Sequence, residues 1–255
     1  MKIAVTGKGG VGKTTVAAIL ARLYADEGRS VVAADVDPDA NLGLALGFTD
    51  AELASITPIS AMKDLINERT GADSSGLGKF FKINPKVDDI PDRFALNRNG
   101  VKLLVLGTVD TGGSGCVCPE HVLLKRLLSH LVLREDDVVI MDMEAGLEHL
   151  GRGTTSFMDR FIVVIEPGAR SVQTYNNVRR LALDLGITRV DVIANKVRDA
   201  DDEAFVRASI PELLGVIRYS DAVIDADRQG KSPFDLDSAV VDELRKIKAK
   251  IDAGG

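Results

Sequence analysis

The stretch TGKGGVGKTTVA, residues 6–17, decides how the rest of the chain is read. Its core, Gly7 to Thr14, fits the phosphate-loop pattern G-x-x-x-x-G-K-[ST]. The apolar run KIAVT (2–6) precedes it and a helical pattern follows from residue 13, which is the strand–loop–helix setting the pattern requires. Gly7, Gly9, Gly10 and Gly12 let the backbone around Val11 wrap a phosphate, and the helix start aims free N–H groups at it. Lys13 then reaches the β- and γ-phosphates, the Thr14 hydroxyl holds Mg²⁺, and Thr15 lies by the α-phosphate. One lysine suffices for this, yet the loop carries a second, Lys8.

Working outward, short β-branched runs alternate with longer helical stretches. Strands are predicted at 2–6, 30–35, 102–107, 137–142, 161–166, 190–195 and 213–218, and helices at 13–27, 119–132, 171–185, 200–208 and 235–251. Several strands are nearly continuous apolar runs, as expected where helices cover both faces of a sheet. The alternation predicts an α/β fold with one doubly wound, mostly parallel sheet, right-handed crossovers and helices on both faces. No repeat or low-complexity linker divides the chain. Residues 1–255 therefore read as a single P-loop domain, with an irregular excursion above the sheet at about 71–100.

A lysine directly after the first glycine resembles the deviant phosphate loop of the nitrogenase-iron-protein, MinD and ParA group of ATPases. The resemblance implies that Lys8 crosses a dimer interface to the other subunit's nucleotide, where a second positive charge stabilises the transferring phosphoryl as an arginine finger does. It also implies roles for the acidic residues. In ADVDPDANLG, Asp37 is the water-positioning carboxylate and Asp35, at the strand end, belongs to the outer shell of Mg²⁺; Asp39 is either functional or a solvated loop residue. In VVIMDMEAG, Asp142 ends a strand and resembles the residue that holds Mg²⁺ through water, followed by a switch segment at Glu144, Ala145 and Gly146. For the base, the amide of Asn195 in the Asn195–Lys196 pair can donate to and accept from adenine. Guanine-specific proteins usually place an aspartate two residues after that lysine; here the position is Arg198, which favours ATP and ADP over guanine nucleotides. Backbone at Ile217 and Arg218 flanks the base.

The only two cysteines, Cys116 and Cys118, share one loop in GGSGCVCPEH. Their one-residue spacing would strain a disulfide. Pro119 suits a first helical position, which makes Cys118 an N-cap and sets both sulfurs near the positive helix end, favouring metal-binding thiolates. Two thiolates are half of a usual four-ligand shell, so the same loop from two subunits on a dimer axis would complete a site for Ni²⁺ or Zn²⁺. His121 is an alternative third ligand; His130 and His149 are scattered.

With GKGGVGKTT, DVDPD, ITPISAMKD (56–64), NPKVD (84–88), GGSGCVC, MDMEAGLEHLGRGT (141–154), VIEP (164–167) and NKVR (195–198), the chain resembles the CooC-type ATPases that assist nickel insertion into carbon monoxide dehydrogenase. The resemblance implies a homodimer formed on ATP or metal binding, one metal held by Cys116 and Cys118 of both subunits, and carbon monoxide dehydrogenase or a related nickel enzyme as client. Two rivals stand beside it. One is an iron–sulfur carrier or reductase of the nitrogenase-iron-protein type. The other is a MinD- or ParA-like positioning ATPase, for which the basic amphipathic stretch 239–255 would serve as a membrane contact unless its stripe packs on the sheet. A net charge of −6 argues against a nucleic-acid partner, and no apolar run is long enough for a membrane span, so the expectation is a cytoplasmic protein without stable membrane association.

Overall fold

The β-branched runs become strands because helices cover both faces of the sheet that they form. The structure is a computed structural model and describes residues 1–37, 39–72, 81–107, 118–133, 137–144, 158–184, 186, 187 and 189–254. Eight strands lie in one sheet: β1 (Lys2–Gly7), β2 (Val31–Asp35), β3 (Leu96–Arg98), β4 (Val101–Val105), β5 (Val138–Glu144), β6 (Arg160–Ile165), β7 (Val190–Val197) and β8 (Leu213–Arg218). Their order is β3-β4-β2-β5-β1-β6-β7-β8, parallel throughout except for the β3–β4 pair. The seven expected strands are all present. The eighth, β3, is an antiparallel edge strand whose signal was the Asn99–Gly100 pair, both at positive φ, in the turn into β4.

The five expected helices are α1 (Lys13–Asp26), α6 (Pro119–Leu133), α7 (Ala169–Asp184), α8 (Ala200–Ser209) and α11 (Ser238–Ala253). Shorter ones fill the connections: α2 (Leu42–Ala45), α3 (Asp50–Ala54), α4 (Lys63–Thr70), α5 (Ile90–Phe94), α9 (Asp221–Arg228) and α10 (Pro233–Leu236). The last long helix starts at 238 rather than 235 because Asp237 caps it, accepting from the N–H groups of Ala239 and Val240. The excursion at 71–100 is only partly irregular: it ends in α5 and β3, and residues 73–80 lie outside the described residues.

Alternate side chains of each strand feed two separate cores. Ile3, Val5, Ile140 and Ile162 pack with α1 and α11, while Ala4, Met141 and Val163 pack with α6 and α7 on the opposite face. The apolar stripe of α11, Val240, Val241, Leu244, Ile247 and Ile251, is buried in the first of these cores. The helix that the positioning rival needed as a membrane contact is therefore a core element.

Candidate functional site

Strand β1 delivers the phosphate loop to the centre of the sheet's carboxyl edge, with β5 on one side and β6 on the other. Chain order reverses direction across the sheet there, the position where open α/β sheets form their ligand crevice. Gly12 ends the loop at φ 91°, and a Cβ on it would sit 2.3 Å from Nδ2 of Asn195, so both conformation and space demand glycine. Helix α1 follows with no side-chain cap and no acidic residue in its first turn. Its leading N–H groups and positive end face the loop unopposed.

The acidic side chains converge on this helix start. β5 lies between β1 and β2, and the β2–β5 register sets Asp35 directly beside Asp142. Lys13 Nζ donates to Asp37 Oδ2 at 2.5 Å, and both side chains are largely buried. Burial works against the Lys13 charge, but the bond to Asp37 and the fields of Asp142 and Asp35 outweigh it and raise its pKa. Burial pushes the Asp142 carboxyl above its ordinary value, countered in part by the Thr14 hydroxyl and the Lys13 charge. Both Asp142 oxygens are buried without a hydrogen bond of normal geometry among the described residues.

Asp35, expected in the outer shell of Mg²⁺, also has contacts within its own loop. Its two oxygens accept from the backbone N–H groups of Asp37 and Leu42, at 3.2 and 2.9 Å, so the side chain anchors the loop that carries Asp37. Burial, first of all, pushes its pKa up to about 7. Asp39 is exposed; its N–H donates to Asp37 Oδ1 at 3.0 Å and its carbonyl accepts from Asn41 Nδ2 at 2.9 Å. Lys8 is exposed at the loop tip, and among the described residues its ammonium has no ion pair.

Two adjoining cavities meet at Gly12 and Thr15. One, of about 500 Å³, is walled by the phosphate loop, α2 and residues 223–233; the other, of about 380 Å³, is walled by Pro167, Asn195, Arg198, Ile217, Arg218 and Tyr219. The second is where the sequence set the base. Asn195 reaches it, but its Nδ2 is already committed to the carbonyl of Val11 at 2.8 Å, so the amide also braces the phosphate loop. Lys196 has a left-handed backbone, φ 58°, and its ammonium donates to Gly10 O and Glu166 Oε1 at 2.5 and 2.6 Å. Arg218 presents its backbone N–H to Glu243 Oε2 at 2.8 Å and its guanidinium to Glu203. The Arg198 guanidinium sits 5.5 Å from the centre of the Tyr219 ring. Glu166 and Pro167 stood in the sequence only as part of the VIEP stretch, with no role assigned, and the 219–233 segment was missed, because nothing local marks a side chain that lines a cleft built by distant strands.

Cys118 immediately precedes α6 and its carbonyl accepts the N–H of Val122 at 3.1 Å, as the N-cap reading required. Since β4 runs parallel to its neighbour β2, the chain leaves β4 at the same sheet edge as the phosphate loop. Cys116, Ala145 and Gly146 lie outside the described residues, and among the described residues Cys118 belongs to no cluster of three or more metal-ligating side chains.

A glycine cradle on a bare helix start, with aspartates on adjacent strand ends at the carboxyl edge of a parallel sheet, defines a P-loop nucleoside triphosphatase. Residues 2–234 match the family described as the CobQ/CobB/MinD/ParA nucleotide binding domain. The chain is 49% identical over 253 residues to the carbon monoxide dehydrogenase accessory protein CooC of Rhodospirillum rubrum, spanning 98% of this chain and 96% of that protein. An uncharacterized ATP-binding protein of Methanocaldococcus jannaschii is 47% identical over 97% of this chain and 96% of its own length. The MinC:MinD cell division protein complex of Aquifex aeolicus contains a chain that superposes with a TM-score of 0.69 at 18% identity, covering 99% of this chain and 96% of that one, which shows the shared fold. The chain belongs to the MinD/ParA family of ATPases, in its CooC-type group.

Proposed function

We propose that residues 1–255 act as one cytoplasmic ATPase domain, a nucleotide-switched dimeric metallochaperone that assists nickel insertion into carbon monoxide dehydrogenase or a related nickel enzyme. The observation that carries this reading is the end-to-end 49% identity to an accessory protein of that enzyme. The burial of the α11 stripe counts against the positioning rival.

ATP, the substrate, takes the loop from Gly9 to Thr15, with its base in the cavity beside Asn195, Ile217 and Arg218. Lys13 exchanges Asp37 for the β- and γ-phosphates, because a multiply charged phosphate outcompetes a single carboxylate for the ammonium. The exchange releases the Asp37 carboxylate, held near the γ-position by the Asp35 anchor, to orient the attacking water. Thr14 and Asp142 fit Mg²⁺: a dication beside them relieves the cost of two buried carboxylate oxygens that lack full hydrogen bonds. When bound, Mg²⁺ supplies neutralisation of the charge on the β- and γ-oxygens. Lys8, exposed and without an ion pair among the described residues, extends to the nucleotide of a second subunit.

The metal cargo is held by Cys116 and Cys118 of both chains. Titration with Ni²⁺ or Zn²⁺ should give about half an equivalent per subunit for a four-sulfur site. Cys118→Ser should abolish metal uptake while ATP binding persists. One tight metal per monomer that survives Cys118→Ser would overturn the shared site. Visible absorbance from a cluster in the same preparation would favour the iron–sulfur rival.

A further inference from the structure

Part of the wall of the phosphate-side cavity is built by residues 223–233, to which neither the motif nor the family resemblance assigns a role. Three lysines line this cavity: Lys13, Lys196 and Lys231. Lys13 is paired with Asp37 and Lys196 with Glu166. Lys231 has no ion pair among the described residues; its ammonium donates only to the neutral amide oxygen of Gln229, at 3.1 Å. Asp227, which lines the same cavity, is likewise in no ion pair among the described residues.

The backbone holds Lys231 in place while its side chain stays exposed. Gly230 turns the chain out of α9 with φ 60°, and the Lys231 N–H closes the turn on Ala226 O at 2.9 Å. The next residue, Ser232, is buried and its Oγ donates to Ala45 O at 2.8 Å. That bond ties the segment to the end of α2, which follows the Asp37 loop. Pro233 then opens α10 and also lines the cavity. Val223 and Ile224 of α9 line both this cavity and the base cavity, so the segment spans the length of a nucleotide from base to phosphates.

We propose that Lys231 is a third phosphate-binding cation, reaching the α- and β-phosphates of bound ATP or ADP from the wall opposite the loop. This rests on the reading of the cleft as the nucleotide site. The cavity also holds Thr15, read as the neighbour of the α-phosphate, and Lys13, read as the partner of the β- and γ-phosphates, so a cation on its far side serves the inner part of that chain. A mobile, solvent-exposed cation a few ångströms from a phosphate contributes about a fivefold gain in affinity. Screening by salt then follows directly.

The test is calorimetric titration of Lys231→Ala, Lys231→Arg and Lys13→Ala with ATP, ADP and adenosine. Lys231→Ala should weaken ATP and ADP by the same factor, about fivefold, leave adenosine unchanged, and lose its effect in high salt. Lys231→Arg should recover most of the affinity. If Lys231→Ala binds ATP and ADP as the wild type does while Lys13→Ala does not, the assignment of Lys231 is overturned and the nucleotide site stands. If Lys13→Ala also binds normally, the reading of the cleft itself falls.

Discussion

At the scale of single residues, the two lysines of the loop occupy opposite surroundings, and the proposed function assigns them opposite consequences. Lys13 is buried against Asp37, so Lys13→Ala removes the charge facing the phosphates and leaves Asp37 buried without its cation. Saturable ATP binding should disappear in calorimetry. Lys8 is exposed, so Lys8→Ala should bind ATP as the wild type does but lose hydrolysis by about a thousandfold, the scale of a charge delivered in trans. Normal phosphate release by Lys8→Ala would end the in-trans role. Asp37→Asn keeps the side chain's shape but not its charge; ATP should bind and persist unhydrolysed, giving a long-lived dimer in size-exclusion chromatography. Turnover at the wild-type rate by this variant would move the water-positioning role elsewhere, with Asp39 next in line.

Between elements, Asp89 joins α4 to α5 on either side of residues 73–80. Its carboxylate accepts both guanidinium arms of Arg69, at 2.9 and 2.8 Å, and one of Arg93 at 2.9 Å. The Arg69 bonds first, then Arg93, hold its pKa well below the usual carboxylate range. A carboxyl whose folded pKa is depressed stabilises the fold above its unfolded pKa, about 4, and loses that contribution as pH falls through the folded value. Asp89 is partly exposed, so the bidentate pair contributes only about 1 kcal/mol. Asp89→Asn should therefore lower Tm at pH 7, and the gap from wild type should close as the pH drops below about 4. A gap that does not change with pH would show that shape, not charge, joins the two helices.

For the whole molecule, the proposed dimer links a nucleotide site to a metal site. If ATP favours the closed dimer and that dimer completes the metal site, ATP must change metal affinity and metal must change ATP affinity by the same factor. Metal titrations with and without a non-hydrolysable ATP analogue, and nucleotide titrations with and without metal, should return equal ratios. Ratios of one would uncouple the cysteine loop from the ATPase.

The order of strands and helices was legible in the sequence because both depend on local periodicity: buried parallel strands are continuous apolar runs and helices repeat every few residues. The phosphate loop was legible for the same reason, since its glycines, lysine and threonine act within one strand–turn–helix unit. The α11 stripe could be read as amphipathic, but what it faced could not, because the same stripe suits a membrane or a core until the sheet is assembled beneath it. Contacts between distant segments were decided only by the fold. The insertion of β5 between β1 and β2 sets Asp35 beside Asp142, although 107 residues separate them in the chain. Asn195 bonds to Val11 across 184 residues, turning an expected base contact into a brace for the loop as well. Lys231 carries no local mark beyond a preceding glycine, and it reaches the phosphate cavity only because Ser232 is fastened to the end of α2. Periodicity shows which way a side chain faces relative to its own element; only the packing of elements determines what it meets there.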